Sequence, residues 1–105
     1  YYRQALSLES ASPVRMNNLA YFLIDNDLKI NESLELINTA LISSPDDYSF
    51  QHTKGWALYK KGKYPEALEI LQKSWDSRRE KAVYNHEAFL HLEEVKKAVA
   101  SQKNN

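Results

Sequence analysis

Cysteine is absent from this 105-residue chain, which excludes disulfides and thiolate metal sites and leaves packing alone to hold the fold. Breakers are scarce as well: two glycines and three prolines, with strong helix formers between them, argue for helices and against a sheet. There is no net charge, because 14 basic side chains balance 14 acidic ones. That removes the diffuse positive field on which binders of nucleic acid and anionic membranes rely, so no nucleic-acid partner is expected. The longest purely apolar run, Leu19 to Ile24, is far short of the roughly 20 residues of a membrane-spanning helix, and no membrane insertion is expected.

What remains is a chain of one domain's length, 43% hydrophobic, in which folding buries roughly two-thirds of the unfolded surface. Its apolar residues fall at helical spacing. Leu19, Ala20, Leu23 and Ile24 form one run; past the polar stretch Asp25-Asn26-Asp27, Leu34, Ile37, Ala40 and Leu41 form a second. The arrangement then recurs with Gly55, Leu58 and Tyr59, a break at Lys61-Gly62-Lys63, and Ala67, Leu68, Leu71 and Trp75 behind Pro65, which suits a first helical turn. Each pair of runs reads as a helical hairpin. Phe89, Leu92, Val95 and Val99 mark a last amphipathic helix before a polar tail.

The two hairpins are copies. Ala20 lies 35 residues before Gly55, and Ser33, Leu34 and Ile37 lie 34 before Ala67, Leu68 and Leu71. The difference of one residue predicts a single insertion between Asp25 and Ile30, where loop length is cheap to vary. These residues resemble the tetratricopeptide repeat (TPR) family, whose 34-residue unit carries large, small and aromatic residues at fixed places. Met16, Leu19-Ala20, Leu23, Ser33, Ile37 and Pro45 supply them in a unit at residues 13–47. Gly55, Leu58, Ala67 and Leu71 supply them at 48–81, with departures at Gln51, Lys54 and Arg79. The resemblance implies an all-α solenoid of helical hairpins, a right-handed α-α superhelix. Within each unit the helices would cross closely, Ala20 against Ser33 and Gly55 against Ala67, where only small side chains fit.

Residues 1–12 match the second helix of an earlier unit, with Tyr2 in the place of Ile37 and Leu6 in that of Leu41. The expectation is therefore a C-terminal piece of a longer array of bacterial type, in cytoplasm or periplasm. Its cut helix has an apolar edge of Tyr2, Ala5 and Leu6 on which chains could self-associate. Residues 82–100 are expected to form a capping helix, of the kind such arrays need, and 101–105 a fraying tail. Two alignments of the cap are open: Phe89 opposite Gly55, or a shifted one with Phe89 and Leu92 at the large-residue and leucine places and Glu93 at the small one. The shifted alignment is preferred because it buries no phenylalanine at a small-residue position, and it makes residues 78–85 an extra helical turn or a loop.

Catalytic and metal chemistry find no matching constellation. His86-Glu87 with His91 has a five-residue step, which turns the second ring about 140° from the first instead of stacking an i, i+4 ligand pair. Glu87 and His91 read as an ordinary surface pair. Gly55 to Gly62 holds six intervening residues where a phosphate loop has four, and ends in Tyr64. Lys60, Lys61 and Lys63, and Arg78, Arg79 and Lys81, form two basic clusters that suit a solvated surface or a partner's acidic patch. No enzyme, cofactor or metal site is expected.

The resemblance places function on the concave side, lined by the first helix of each unit. The matching positions are Asn17, Tyr21 and Ile24, then His52, Trp56, Tyr59 and Lys60, and on the cap Leu90, Glu94 and Lys97. They lack the Lys, Arg and Asn grid with which some TPR domains clamp a peptide carboxylate, and suit an apolar or amphipathic segment better. Trp56 and Tyr21 are expected to carry binding energy, as interface aromatics do, or else to pack against neighbouring helices. The expected function is a scaffold that binds a peptide or helix of a partner protein. The alternative is a purely structural end cap serving rigidity or self-association.

Overall fold

The computed structural model describes residues 12–103; all but the last residue of the remnant expected at 1–12, and the last two residues of the chain, lie outside it. Its five helices are α1 (Pro13–Asp25), α2 (Ile30–Ser43), α3 (Tyr48–Lys60), α4 (Tyr64–Glu80) and α5 (His86–Lys103), and no strand occurs among the described residues. The architecture is all-α, as expected. Each boundary has a local cause. Pro13 and Pro65 sit in the first turns of α1 and α4, where a missing N–H removes nothing. Asp47 caps α3 by accepting from the amides of Ser49 and Phe50 at 2.9 and 3.2 Å, and Asn85 accepts from Ala88 N–H at 2.8 Å to open α5.

Three helices end in the same way. Asp27, Gly62 and Ala82 take positive φ angles of 56°, 89° and 56°, while the next residue's amide reaches back to the carbonyl of Leu23, Leu58 or Arg78 at 2.7 to 2.9 Å. This six-residue closure satisfies carbonyls the helix leaves free and turns the chain sharply. Between α1 and α2 the connection runs over residues 26–29, one longer than 61–63 between α3 and α4. The added residue is Lys29, itself at φ 42°, so the expected insertion is a left-handed step.

Helices α1 and α2 form one antiparallel hairpin, α3 and α4 a second, and α5 lies against the second. Ala20, Ser33 and Ala67 are fully buried. Ser33 tolerates this because its hydroxyl donates to Lys29 O at 3.1 Å, within its own turn. The close approach at Gly55 is to Leu71, one turn beyond the expected Ala67: a Cβ there would lie 2.5 and 2.6 Å from two carbons of Leu71 and 2.9 Å from Ile70. Leu23, Ile37 and Leu71 fill the core with Met16, Ala40, Phe50 and Ala57, each large aliphatic adding roughly 1.5–3 kcal/mol of burial.

Helix α1 approaches α3, and α3 approaches α5, whereas α2 and α4 make no close backbone approach to each other. The stack is therefore tighter on the α1–α3–α5 side, which makes that side concave. Helix α4 runs to Glu80, so residues 78–80 add a helical turn, and 81–85 form the reversal into α5. The last helix continues to Lys103, past the expected end at 100. Its buried stripe is Ala88, Leu92 and Val95, the same 4-and-7 spacing as Met16, Ala20 and Leu23. Leu92 thus takes the small-residue place, between the two alignments considered from sequence. Phe89 stays 37% exposed. No described helix follows α5 to cross it there, so a leucine fits.

Candidate functional site

On the concave side, the residues of α3 four and three apart share one face, and His52, Trp56 and Tyr59 lie along it. Each continues onto a ring from another helix. Tyr21 of α1 stands 6.2 Å from His52, and His91 of α5 stands 5.1 Å from His52 and 3.6 Å from Trp56, parallel to the indole within 1°. Trp56 stacks on Tyr59 at 4.8 Å, and Tyr59 reaches Tyr64 at 5.5 Å. The result is a continuous row of aromatic rings across four helices. Lys60 lies against its middle, with Nζ 5.4 Å from the indole centre and 3.0 Å from Asp27 Oδ1.

Polar contacts pin α5 over this row. His52 Nε2 and His91 Nδ1 are 3.0 Å apart, a contact that carries one proton between two nitrogens and fails if both rings are fully protonated. The Tyr21 hydroxyl donates to the Glu87 carboxylate, joining α1 to α5. Burial pushes the His52 pKa down to about 3, with His91 and Arg78 adding positive neighbours. Burial also lowers that of His91, against the attraction of Glu87, Glu94 and Asp25. The Tyr21 hydroxyl is held well above its usual range, by burial first and then by Glu87, and that of Tyr59 is raised by burial and by the Glu94 carboxylate beside it. Both tyrosines stay neutral donors. No group of three His, Cys, Asp or Glu side chains among the described residues is placed to hold a metal ion.

Among curated proteins, a TPR repeat-containing protein of Methanocaldococcus jannaschii is 37% identical over 73 residues, covering 70% of this chain and 13% of its own. A TPR repeat-containing protein of Pseudomonas aeruginosa is 30% identical over 92 residues, covering 88% and 15%. The chain belongs to the tetratricopeptide repeat family. This TPR chain spans less than a sixth of the length of either relative, one archaeal and one bacterial, so the kinship is wider than bacterial arrays. No family model and no solved structure matches it.

Lys60 apart, the TPR positions expected to face the groove divide into four groups. Asn17, Tyr21 and Tyr59 are half-buried on the concave side, and Leu90, Glu94 and Lys97 are exposed on α5. His52 and Trp56 are 7% and 5% exposed, so they form the floor, roofed by His91. Ile24 is fully buried in the core and presents nothing to the groove, a correction that follows from its place beside Ala20 and Leu23 on the packed face of α1. The sequence reading missed His91 and Glu87 as part of the row, having taken them for a surface pair. The signal that would have found them is the stripe Ala88, Leu92 and Val95: aligned on Met16, Ala20 and Leu23, it turns His91 toward α3.

Proposed function

We propose that this chain is part of a protein-interaction scaffold whose α1–α3–α5 face receives an apolar or amphipathic peptide or helix of a partner. Membership of the TPR family supports the general role of protein-interaction scaffold. The observation that carries the finer reading is the unbroken ring row from Tyr21 to Tyr64, since large rigid rings with polar tips bind at low entropic cost and concentrate interface energy. On this reading residues 13–47 and 48–81 are the two units, 82–100 the cap, and Tyr59, Tyr21, Asn17, Lys60, Leu90 and Glu94 the surface a partner meets. His52 and Trp56 set its shape from beneath. No described helix is long and apolar enough to cross a membrane, in keeping with a protein partner.

The test is crosslinking from position 90, exposed on α5, in the whole protein in its own cells, followed by identification of what attaches. Tyr59→Ala should reduce that capture several-fold at a temperature where its melting curve shows the variant folded, even though Tyr59 packs on Trp56 and Tyr64. Unaltered capture with a lowered midpoint rejects the groove and favours the structural alternative. The burial of Trp56 under His91 gives that alternative its own support, because a ring clamped between helices stiffens the stack. Sedimentation of the chain and of the whole protein separates the two further: self-association present in both supports an assembly role.

A further inference from the structure

Arg78, in the extra turn of α4, is only 8% exposed, and its Nε is buried without an acceptor. Its guanidinium lies 4.5 Å from the centre of the Tyr48 ring, and no carboxylate among the described residues pairs with it. A buried lysine can shed its proton, but an arginine keeps its charge, and a buried charge without a counter-ion is strongly unfavourable. The Tyr48 face and the carbonyls at the end of α4 offset part of this, yet they use none of the in-plane N–H donors. The neighbouring acids of α4 are turned away: Asp76 and Glu80 line a hollow on another face with Glu69 and Lys73, as their two-residue offset from Arg78 requires.

Beside Arg78 opens a cavity of about 190 Å³, lined also by Trp75, Arg79, Ala82, Val83 and Tyr84. Its wall is the left-handed turn at Ala82, fixed by Val83 N–H donating to Arg78 O at 2.8 Å. Trp75 and Tyr84 meet edge to face at 5.8 Å, and Lys81 Nζ lies 6.0 Å from the Tyr48 ring. An unpaired buried cation thus adjoins an apolar hollow, with a second cation, Arg79, on its lining and a third, Lys81, near the Tyr48 ring. The hollow is smaller than the roughly 300–1,000 Å³ of small-molecule pockets, and takes one side chain rather than a whole ligand.

We propose that this corner of α4 and α5 is a second binding site, separate from the concave groove, for an acidic segment of a partner protein. One apolar side chain would enter the hollow alongside the Trp75–Tyr84 pair, and a neighbouring carboxylate would meet Arg78, with Arg79 and Lys81 attracting a second acidic residue. Several cations around one hollow favour a segment with more than one carboxylate over a single isolated anion. The binding needs no contact with Tyr21, Trp56 or Tyr59.

The test is an NMR titration of the whole 105-residue chain, read at the Trp75 indole, with the peptide acetyl-Glu-Phe-Glu-amide. The peptide acetyl-Gln-Phe-Gln-amide and inorganic phosphate serve as controls. The acidic peptide should shift Trp75 and bind at least tenfold more tightly than the neutral one, with phosphate much weaker. Arg79→Gln, an exposed change, should weaken binding several-fold without moving the thermal midpoint, and Arg78→Met should abolish it wherever a melting curve shows the variant folded. Tyr59→Ala should leave it unchanged, so failure of this site and failure of the groove are separable. Equal binding of the two peptides, phosphate binding as tight as the acidic peptide, no shift at Trp75 at millimolar peptide, or full binding by folded Arg78→Met would each overturn the proposal.

Discussion

The two hairpins place different residues at equivalent points: Asn17, Ala20, Tyr21 and Ile24 in α1 stand 35 residues before His52, Gly55, Trp56 and Tyr59 in α3. The backbone design is shared, and both first helices have 13 residues. What differs is what lies next to them. Helix α5 covers His52 and Trp56 with His91, whereas Tyr21 remains half-buried. Ile24 is fully buried, while Tyr59 is half-exposed at the rim. A family position therefore specifies which way a side chain points, and the neighbouring helix decides whether it is floor, rim or core.

This comparison can be broken by exchanging or removing the paired residues. Trp56→Ala should lower stability by about 3–5 kcal/mol, as for other buried aromatics, and Tyr21→Ala by less than about 3 kcal/mol, in urea denaturation. Equal losses would mean that α5 does not distinguish the hairpins. Gly55→Ala, which installs the residue of the first hairpin, should lower stability by about 1–3 kcal/mol, since the new Cβ meets Leu71 at 2.5 Å. A gain in melting temperature would show instead that Leu71 moves aside freely.

The hairpins should also differ in their response to acid, because His52 stands where the first has Asn17. Unfolded, a histidine binds a proton near pH 6.5; folded, His52 does so only near 3. The unfolded chain then holds more protons in that window, so stability falls as pH drops from about 6.5 toward 3. The slope is up to about 1.4 kcal/mol per pH unit, and His91 is shifted in the same direction. His52→Asn should flatten this slope in denaturation measured at several pH values; an unchanged slope would assign it to other groups. The smallest effect is expected for Tyr21→Phe, about 0.5–1.5 kcal/mol, from loss of the bond to Glu87. No change in amide exchange of α5 on that substitution would mean the bond does not hold α5 to α1.

The helices and the pairing into hairpins were legible because periodicity and breakers are local: Pro13, Pro65, Gly62 and the apolar stripes specify them with no knowledge of the rest of the chain. The inserted residue was legible for the same reason, as a difference between two spacings. The site was legible only as a list of directions. His52, Trp56 and Tyr59 share a helix face by spacing alone, but their burial depends on α5, whose alignment fell between the two considered because it hinges on a leucine where both hairpins carry a small residue.

The sequence by itself determined an all-α stack of hairpins, since hydrophobic spacing, caps and left-handed closures act within a few residues. Only the tertiary structure decided that His91 roofs Trp56, that Ile24 belongs to the core and that Arg78 is buried beside an apolar hollow with no carboxylate among the described residues paired to it. Those outcomes depend on residues 26 to 66 positions apart meeting in space, as the Ser74 hydroxyl meets the Tyr48 carbonyl and Tyr21 meets Glu87. Spacing sets the direction in which a side chain points, as the stripe Ala88, Leu92 and Val95 does for His91, but not which distant residue it meets.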